Sequence, residues 1–261
     1  MKIGIISDIH EDITRLEECL GILRAKDVKQ IICLGDSIGF AAPYYSYIKT
    51  RDANKVIETL KDASDVILAG NHDLFAIRKT PANIKGFDFP EDWYDLDYPT
   101  RKKLSDAAEG GGVWLYENDE LSPLISDGNR DYIESLPEYA IKDYGNYKIL
   151  FSHYAFPDPT GSLRWEAVEP KQLAEHFAFM KQHNCLYAFS GHDHFEGIKI
   201  FSNDFVEEIP FGGKYTLPDA PAWLHIPTVS NGTFKNGFAI YDAESKEIEA
   251  IPLGTPPHIK I

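Results

Sequence analysis

Residues 1–10 read MKIGIISDIH, a short apolar run that ends in an aspartate and a histidine. IGIIS (3–7) has the length and composition of a strand buried on both faces. The same figure recurs along the chain. QIICLG (30–35) runs into Asp36, and DVILAG (65–70) runs into Asn71, His72 and Asp73. YKILFS (147–152) runs into His153, and LYAFSG (186–191) runs into His192 and His194. Helical patterns lie between the early strands. Asp12 is placed to cap a helix carrying Ile13, Leu16, Leu20 and Leu23 on one face, and residues 52–63 repeat the pattern with Val56, Ile57 and Leu60. Strands alternating with helices indicate an α/β protein with a parallel core. Ligands of open α/β sheets bind outside the carboxyl ends of the strands, so these ends can converge on one pocket.

Asp, His and Asn together are hard-to-borderline ligands. They suit Mn, Fe, Zn, Ni or Co better than calcium. Eight such groups (Asp8, His10, Asp36, Asn71, His72, His153, His192 and His194) exceed what one ion needs. Two ions sharing one bridging carboxylate would use them all, and paired metals are a recurrent device for phosphoryl displacement.

The chain has 261 residues, an apolar fraction of 43% and a net charge of −15. It is long enough for one large domain and apolar enough for a packed core, which excludes global disorder. No run reaches the roughly 18 apolar residues of a membrane span. The first residues lack the basic n-region of a secretory signal. The negative charge argues against an extended nucleic acid or an anionic membrane as partner. Cys19, Cys33 and Cys185 are isolated and odd in number, which is neither a disulfide framework nor a zinc knuckle and suits the cytoplasm. Cys33, inside IICLG, reads as a core residue. No feature bears on oligomeric state.

From residue 80 to about 130 the strand–helix rhythm breaks. KGFDFPEDWYDLDYPT (85–100) is acidic and aromatic, and GGG (110–112) is a hinge-like break without the lysine of a phosphate loop. We expect a single domain over 1–261 with an insert at 80–130. That insert is either a small helical cap or a surface excursion packed by its own Trp93, Tyr94, Trp114 and Tyr116. The acidic run 88–97 reads as a solvated face. Beyond it, PKQLAEHFAFMKQ (170–182) is a helix with Leu173, Phe177 and Met180 on one face, and His176 and His183 at the borders. LYAFS (186–190), GIKIFS (197–202), NGFAIYD (236–242) and EIEAIPL (247–253) follow closely, as strands of an antiparallel sheet would.

Taken in order, SDIH (7–10), GD (35–36), GNHD (70–73), SH (152–153) and GHDH (191–194) resemble the calcineurin-like metallophosphoesterases over residues 1 to about 195. The resemblance implies a sandwich of two mixed β-sheets flanked by helices. It implies that Asp8, His10 and His194 bind one transition-metal ion, that Asn71, His153 and His192 bind a second, and that Asp36 bridges them. It assigns His72 to the leaving-group oxygen. The implied activity is hydrolysis of a small phosphate monoester or diester, nucleotides included, by a water that two cations acidify between them. Manganese is among the metals expected.

The sequence departs from the protein serine/threonine phosphatase branch and from the related diadenosine tetraphosphatases. GDSIGFA (35–41) has Gly39 where those carry the aspartate that orients the catalytic histidine, and Ala69 stands where they carry arginine. The chain therefore looks like a small bacterial-type member, and the partner of His72 has to come from elsewhere. VSNGTF (229–234) only loosely resembles the Asn-Pro-Gly-Ser-like segment of small bacterial members. Asn71, Tyr154 and Arg164 are candidate substrate contacts, with a surface pairing of Arg164 to Glu166 or Glu169 as the alternative. His225 and His258 have no ligand-spaced partners. The competing function is a non-catalytic scaffold that keeps the fold for protein interaction. Such relatives typically lose ligands or the catalytic histidine, and here all eight positions are occupied. A metal hydrolase acting on a non-phosphate bond is a third reading.

Overall fold

The computed structural model describes residues 1–108, 111–202, 205–230 and 235–256. Gly110, residues 231–234 of the VSNGTF segment and His258 lie outside the described residues. Two six-stranded sheets form the body. The first runs in the order Lys214–Thr216, Glu247–Pro252, Gly237–Asp242, Lys2–Ile6, Gln30–Cys33, Val66–Ile67. Its three N-terminal strands are mutually parallel, and Gly237–Asp242 joins Lys2–Ile6 antiparallel. The second runs Val206–Ile209, Ile198–Phe201, Ala222–His225, Cys185–Ser190, Lys148–Ser152, Tyr139–Asp143, with the strands at 148, 185 and 222 parallel. Both sheets are thus mixed.

Strand alternation explains the layering. Ile3 and Ile5 point inward and meet Ile149, Phe151, Phe189 and Leu224 of the facing sheet, while Ile6 points out. Helices Ile13–Ala25 and Ala53–Ala63 cover that outer face with Leu16, Leu20, Leu23, Val56, Ile57 and Leu60. Both helices start where the sequence predicts, because Asp12 and Asp52 accept from the backbone N–H of Arg15 and Lys55. Each such cap contributes about 1 kcal/mol. Pro170–Leu173, a 3₁₀ turn, leads into helix Ala174–Gln182, and together they cover the second sheet with Leu173 and Met180. Strands covered on both faces must be apolar throughout, which is why these runs are legible as strands.

Three expectations need correction. The four late strands do not share one antiparallel sheet: Cys185–Ser190 and Ile198–Phe201 belong to the second, Gly237–Asp242 and Glu247–Pro252 to the first. His176 is not a border residue. It is fully buried, and its Nδ1 accepts from the backbone N–H of Phe156. Arg164 pairs with neither Glu166 nor Glu169; it is tied to Asp106 at 3.0 Å and donates to the Gly111 carbonyl.

Residues 80–130 carry helix Tyr98–Asp106 and a cluster of their own, in which Phe87, Trp93 and Val113 pack with Leu163. The acidic side chains of 88–97 are exposed while Trp93 is buried. Glu120–Leu121 pairs with Phe40–Ala41 in a small two-stranded sheet, which fastens this segment beside the strand ends. Among the described residues no helix is long and apolar enough to cross a membrane.

Candidate metal centre

The parallel strands of both sheets end at one edge, and the loops that leave them are stitched together there. Gly191 N–H donates to the His153 carbonyl, Ser230 N–H to the Asp8 carbonyl, and Ile9 and His10 N–H to the Asp36 carbonyl. Asp8, His10, Asp36, His192 and His194 all have φ between +49° and +80°. Non-glycine residues in that left-handed region cost about 1–3 kcal/mol each and concentrate at functional sites. Here the sharp turns aim five side chains back across the strand ends.

One oxygen of each aspartate is anchored and the other is left for the centre. Asp8 Oδ2 accepts from His192 N–H at 3.1 Å, and Asp36 Oδ1 accepts from His72 N–H at 2.9 Å. Asp8 Oδ1 lies 3.2 Å from His194 Nε2 and 4.0 Å from His10 Nε2, and the two histidine nitrogens are 3.2 Å apart. Asp36 Oδ2 lies 3.0 Å from His153 Nε2 and 4.0 Å from His10 Nε2. His192 Nδ1 is 3.0 Å from Asn71 Oδ1. Two sets therefore form, Asp8–His10–His194 and Asp36–His153–His192, and Asp36 reaches both because it also groups with His10 and His72.

Several observations fit transition-metal ions. Asp8 Oδ1 and the ring nitrogens of His153 are buried with no hydrogen bond of good geometry, although Asp36 Oδ2 stands 3.0 Å from His153 Nε2. Buried carboxylate oxygens and imidazole nitrogens left so and converging on one place call for a cation. The ring orientations suit ligation too: His10 Nδ1 is bonded to the Gly39 carbonyl at 2.8 Å, which turns Nε2 inward. Burial opposes charge on Asp8 and Asp36, but the surrounding histidines, led by His194 and His153 respectively, together outweigh it and hold both carboxyls below their usual range. Burial, helped by His72 for His10 and by His153 for His192, drives these two histidines down to about 3, so both are neutral as a ligand must be. Burial also opposes charge on His153, yet Asp36 prevails and raises it to about 9.

Small residues make the room. A Cβ on Gly70 would stand 2.2 Å from Asp36 Oδ1 and 2.7 Å from its backbone nitrogen. Asp73, to which no role was attached, braces the two loops: Oδ1 accepts from Ile38 N–H and Oδ2 from Gly70 N–H.

The partner of His72 comes from the insert. His72 Nδ1 lies 2.5 Å from Glu120 Oε2. A carboxylate only accepts, so Nδ1 carries the proton and Nε2 remains for chemistry. Burial opposes a positive His72, but Glu120 and then Asp36 outweigh it and raise its pKa to about 9. Cations nearby would press that value down again. Gly39 permits the arrangement. Its φ of +99° and its missing side chain leave space where a Cβ would come within 2.7 Å of His72 Cβ and 3.1 Å of Glu120 Oε1. Tyr116, also from the insert, accepts from Asn71 Nδ2 and packs its ring 4.4 Å from that of His72. Sequence reasoning missed Glu120 and Tyr116. The only signal was the absence of an orienting acid at position 39.

The candidate substrate contacts separate. Asn71 and His72 line a cleft of about 470 Å³ together with His192 and His194. Tyr154 is buried, its ring 4.7 Å from His192 and its hydroxyl accepting from Ala167 N–H, so it supports the site from below. Arg164 does not line the cleft. His225, on a strand the sequence did not reveal, is buried with Nε2 3.4 Å from Asp193 Oδ2, behind the His192–His194 turn.

Known proteins share this fold. The chain is 23% identical over 253 residues to an uncharacterized protein of Methanocaldococcus jannaschii, covering 95% of this chain and 86% of that one. The fold resembles a metallophosphoesterase from Sphaerobacter thermophilus, with 18% identity, TM-score 0.65 and coverage of 97% and 88%. It also resembles a hypothetical protein from Pyrococcus horikoshii, with 14% identity, TM-score 0.59 and coverage of 99% and 89%. The calcineurin-like phosphoesterase family matches residues 1–196, the span that holds Asp8, His10, Asp36, Asn71, His72, His153, His192 and His194, and the chain belongs to that family.

Proposed function

We propose that this chain is a dinuclear metal-dependent phosphoesterase that hydrolyses a small phosphate monoester or diester. Asp8, His10 and His194 would hold one ion, Asn71, His153 and His192 the other, with Asp36 between them; manganese is one candidate. Asp36 carries this reading, because one oxygen is fixed by His72 N–H while the other faces His153 and His10. When bound, the ions would supply an activated water and a clamp on the phosphoryl oxygens.

The residues do the rest. Asn71, fixed by Tyr116, keeps its Oδ1 turned toward His192. His72 holds its proton on Nδ1 against Glu120 and presents Nε2 to the cleft. In hydrolysis the water oxygen bonds to phosphorus, the ester P–O bond breaks, and the leaving oxygen needs a proton. A protonated His72 Nε2 can give it, and Glu120 stabilises that imidazolium. The three free cysteines are all buried, which accords with the cytoplasmic location we propose. The complete ligand set favours catalysis over the scaffold alternative.

Purified protein with Mn²⁺ should cleave p-nitrophenyl phosphate or bis-p-nitrophenyl phosphate, and a chelator should stop it. The ratio of the two rates separates monoesterase from diesterase. His72→Ala should lower turnover with metal content unchanged. Failure to cleave either ester with any divalent metal would favour the scaffold.

A further inference from the structure

The cleft beside the metal ligands has an unusual wall. Tyr44 and Trp114, both lining it, are 62% and 46% exposed. Exposed faces of large aromatic rings beside a reactive centre offer surface to a ligand. Leu115, Tyr45 and Ala41 add apolar surface to the same wall. Among the described residues lining the cleft there is no lysine or arginine, while Asp119, Glu120 and Asp193 are acidic. Ala69, where related phosphatases carry an arginine, is fully buried and bonded to the Pro137 carbonyl. Arg164 is occupied by Asp106.

Among the described residues lining the cleft, no lysine or arginine adds positive charge to that of the proposed ions. Their charge suffices for one phosphate. Further phosphates would face Asp119 and Asp193 with no lysine or arginine among the described residues lining the cleft. The organic part faces flat apolar rings, whose quadrupolar faces favour stacking with another ring.

Resting on the phosphoesterase reading above, we infer that the substrate is an ester with a single phosphate and a flat uncharged ring, of nucleoside monophosphate type, stacked against Trp114 and Tyr44. Nucleoside polyphosphates are disfavoured. Trp114 comes from the insert and Tyr44 from the turn after Phe40–Ala41, so the small sheet pairing Phe40–Ala41 with Glu120–Leu121 builds both the stacking wall and the His72 partner.

Steady-state kinetics with Mn²⁺ test this, using adenosine 5′-monophosphate, glycerol phosphate and ATP. Wild-type protein should prefer the monophosphate to both. Trp114→Ala and Tyr44→Ala should each reduce the ratio of kcat/KM for adenosine monophosphate over glycerol phosphate by roughly 5- to 150-fold, the range of one base–aromatic stack. Trp114→Phe should keep most of the ratio, which separates stacking from damage to the insert. An unchanged ratio in both alanine variants, or faster cleavage of ATP than of the monophosphate, overturns the inference while leaving the phosphoesterase reading intact. Failure of the wild type to cleave any of the three or bis-p-nitrophenyl phosphate with any transition metal overturns the phosphoesterase reading itself, whereas cleavage of bis-p-nitrophenyl phosphate alone overturns only the inference.

Discussion

Replacing Glu120 with glutamine keeps the shape of the side chain and removes its charge. Glu120 contacts His72 Nδ1 at 2.5 Å, and its side chain is 1% exposed, so water cannot substitute for it. A hydrogen bond to a charged group contributes about 1.5–3 kcal/mol. Spent on an imidazolium that forms as the leaving group departs, that is roughly 10- to 100-fold in turnover, the size seen when groups that orient ligating histidines are lost. The cost depends on the leaving group. An alkoxide requires the proton from His72, whereas p-nitrophenolate is a weak base and departs without it. Glu120→Gln should therefore lower kcat on an alkyl phosphate by roughly 10- to 100-fold and on p-nitrophenyl phosphate by much less, with bound metal unchanged by atomic absorption. Wild-type kcat on the alkyl ester would refute the pairing as catalytic. Equal losses on both esters would make Glu120 a structural brace only.

Other outcomes follow from the same geometry. Raising free Mn²⁺ to about 100 times its Kd adds ~2.7 kcal/mol per site, which for a chain of this size is roughly 5–10 °C in Tm by differential scanning calorimetry; no shift would argue against ion binding at the buried carboxylates. Gly70→Ala should leave the circular dichroism spectrum unchanged but weaken metal binding by roughly 10- to 100-fold in titration calorimetry, because the new Cβ meets the backbone and carboxylate of Asp36. Burial holds His176 down to about 3 in the folded state. The unfolded chain takes the proton first near 6.5, so this residue's contribution is present above that pH and is lost as pH falls. Between pH 7 and 5 the loss is about 2 kcal/mol. Urea unfolding of His176→Gln, whose amide oxygen can still accept from Phe156 N–H, should show a correspondingly shallower pH dependence.

The strand-end residues were legible because each is local to its own strand. An apolar run predicts a buried strand, the next residue stands at its carboxyl end, and the residue type names its chemistry. The helix starts were legible for the same reason, since Asp12 and Asp52 act on N–H groups three residues away. Strand pairing was not. Periodicity shows that a strand is buried but not which sheet it joins, and the four late strands divide between two. The strand Ala222–His225 escaped because AWLH is too short to declare a period. His176 looked like a border residue because helical spacing places it beside the stripe, and only the neighbouring Phe156 loop closes over it.

The sequence by itself determined the set of candidate ligands and the family they resemble, since those side chains follow the strands that carry them. Only the tertiary structure decided what controls them. Tyr116 and Glu120 reach Asn71 and His72 across 45 and 48 residues of chain, from a segment without periodicity or motif. Their arrival depends on the path of that segment and on the empty space at Gly39, and neither local propensity nor spacing encodes such a path. The acidic charge of the chain likewise says nothing about the cleft. There the aromatic wall, and a lining without lysine or arginine among the described residues, emerge only when the turn after Ala41 and the insert are folded against the strand ends.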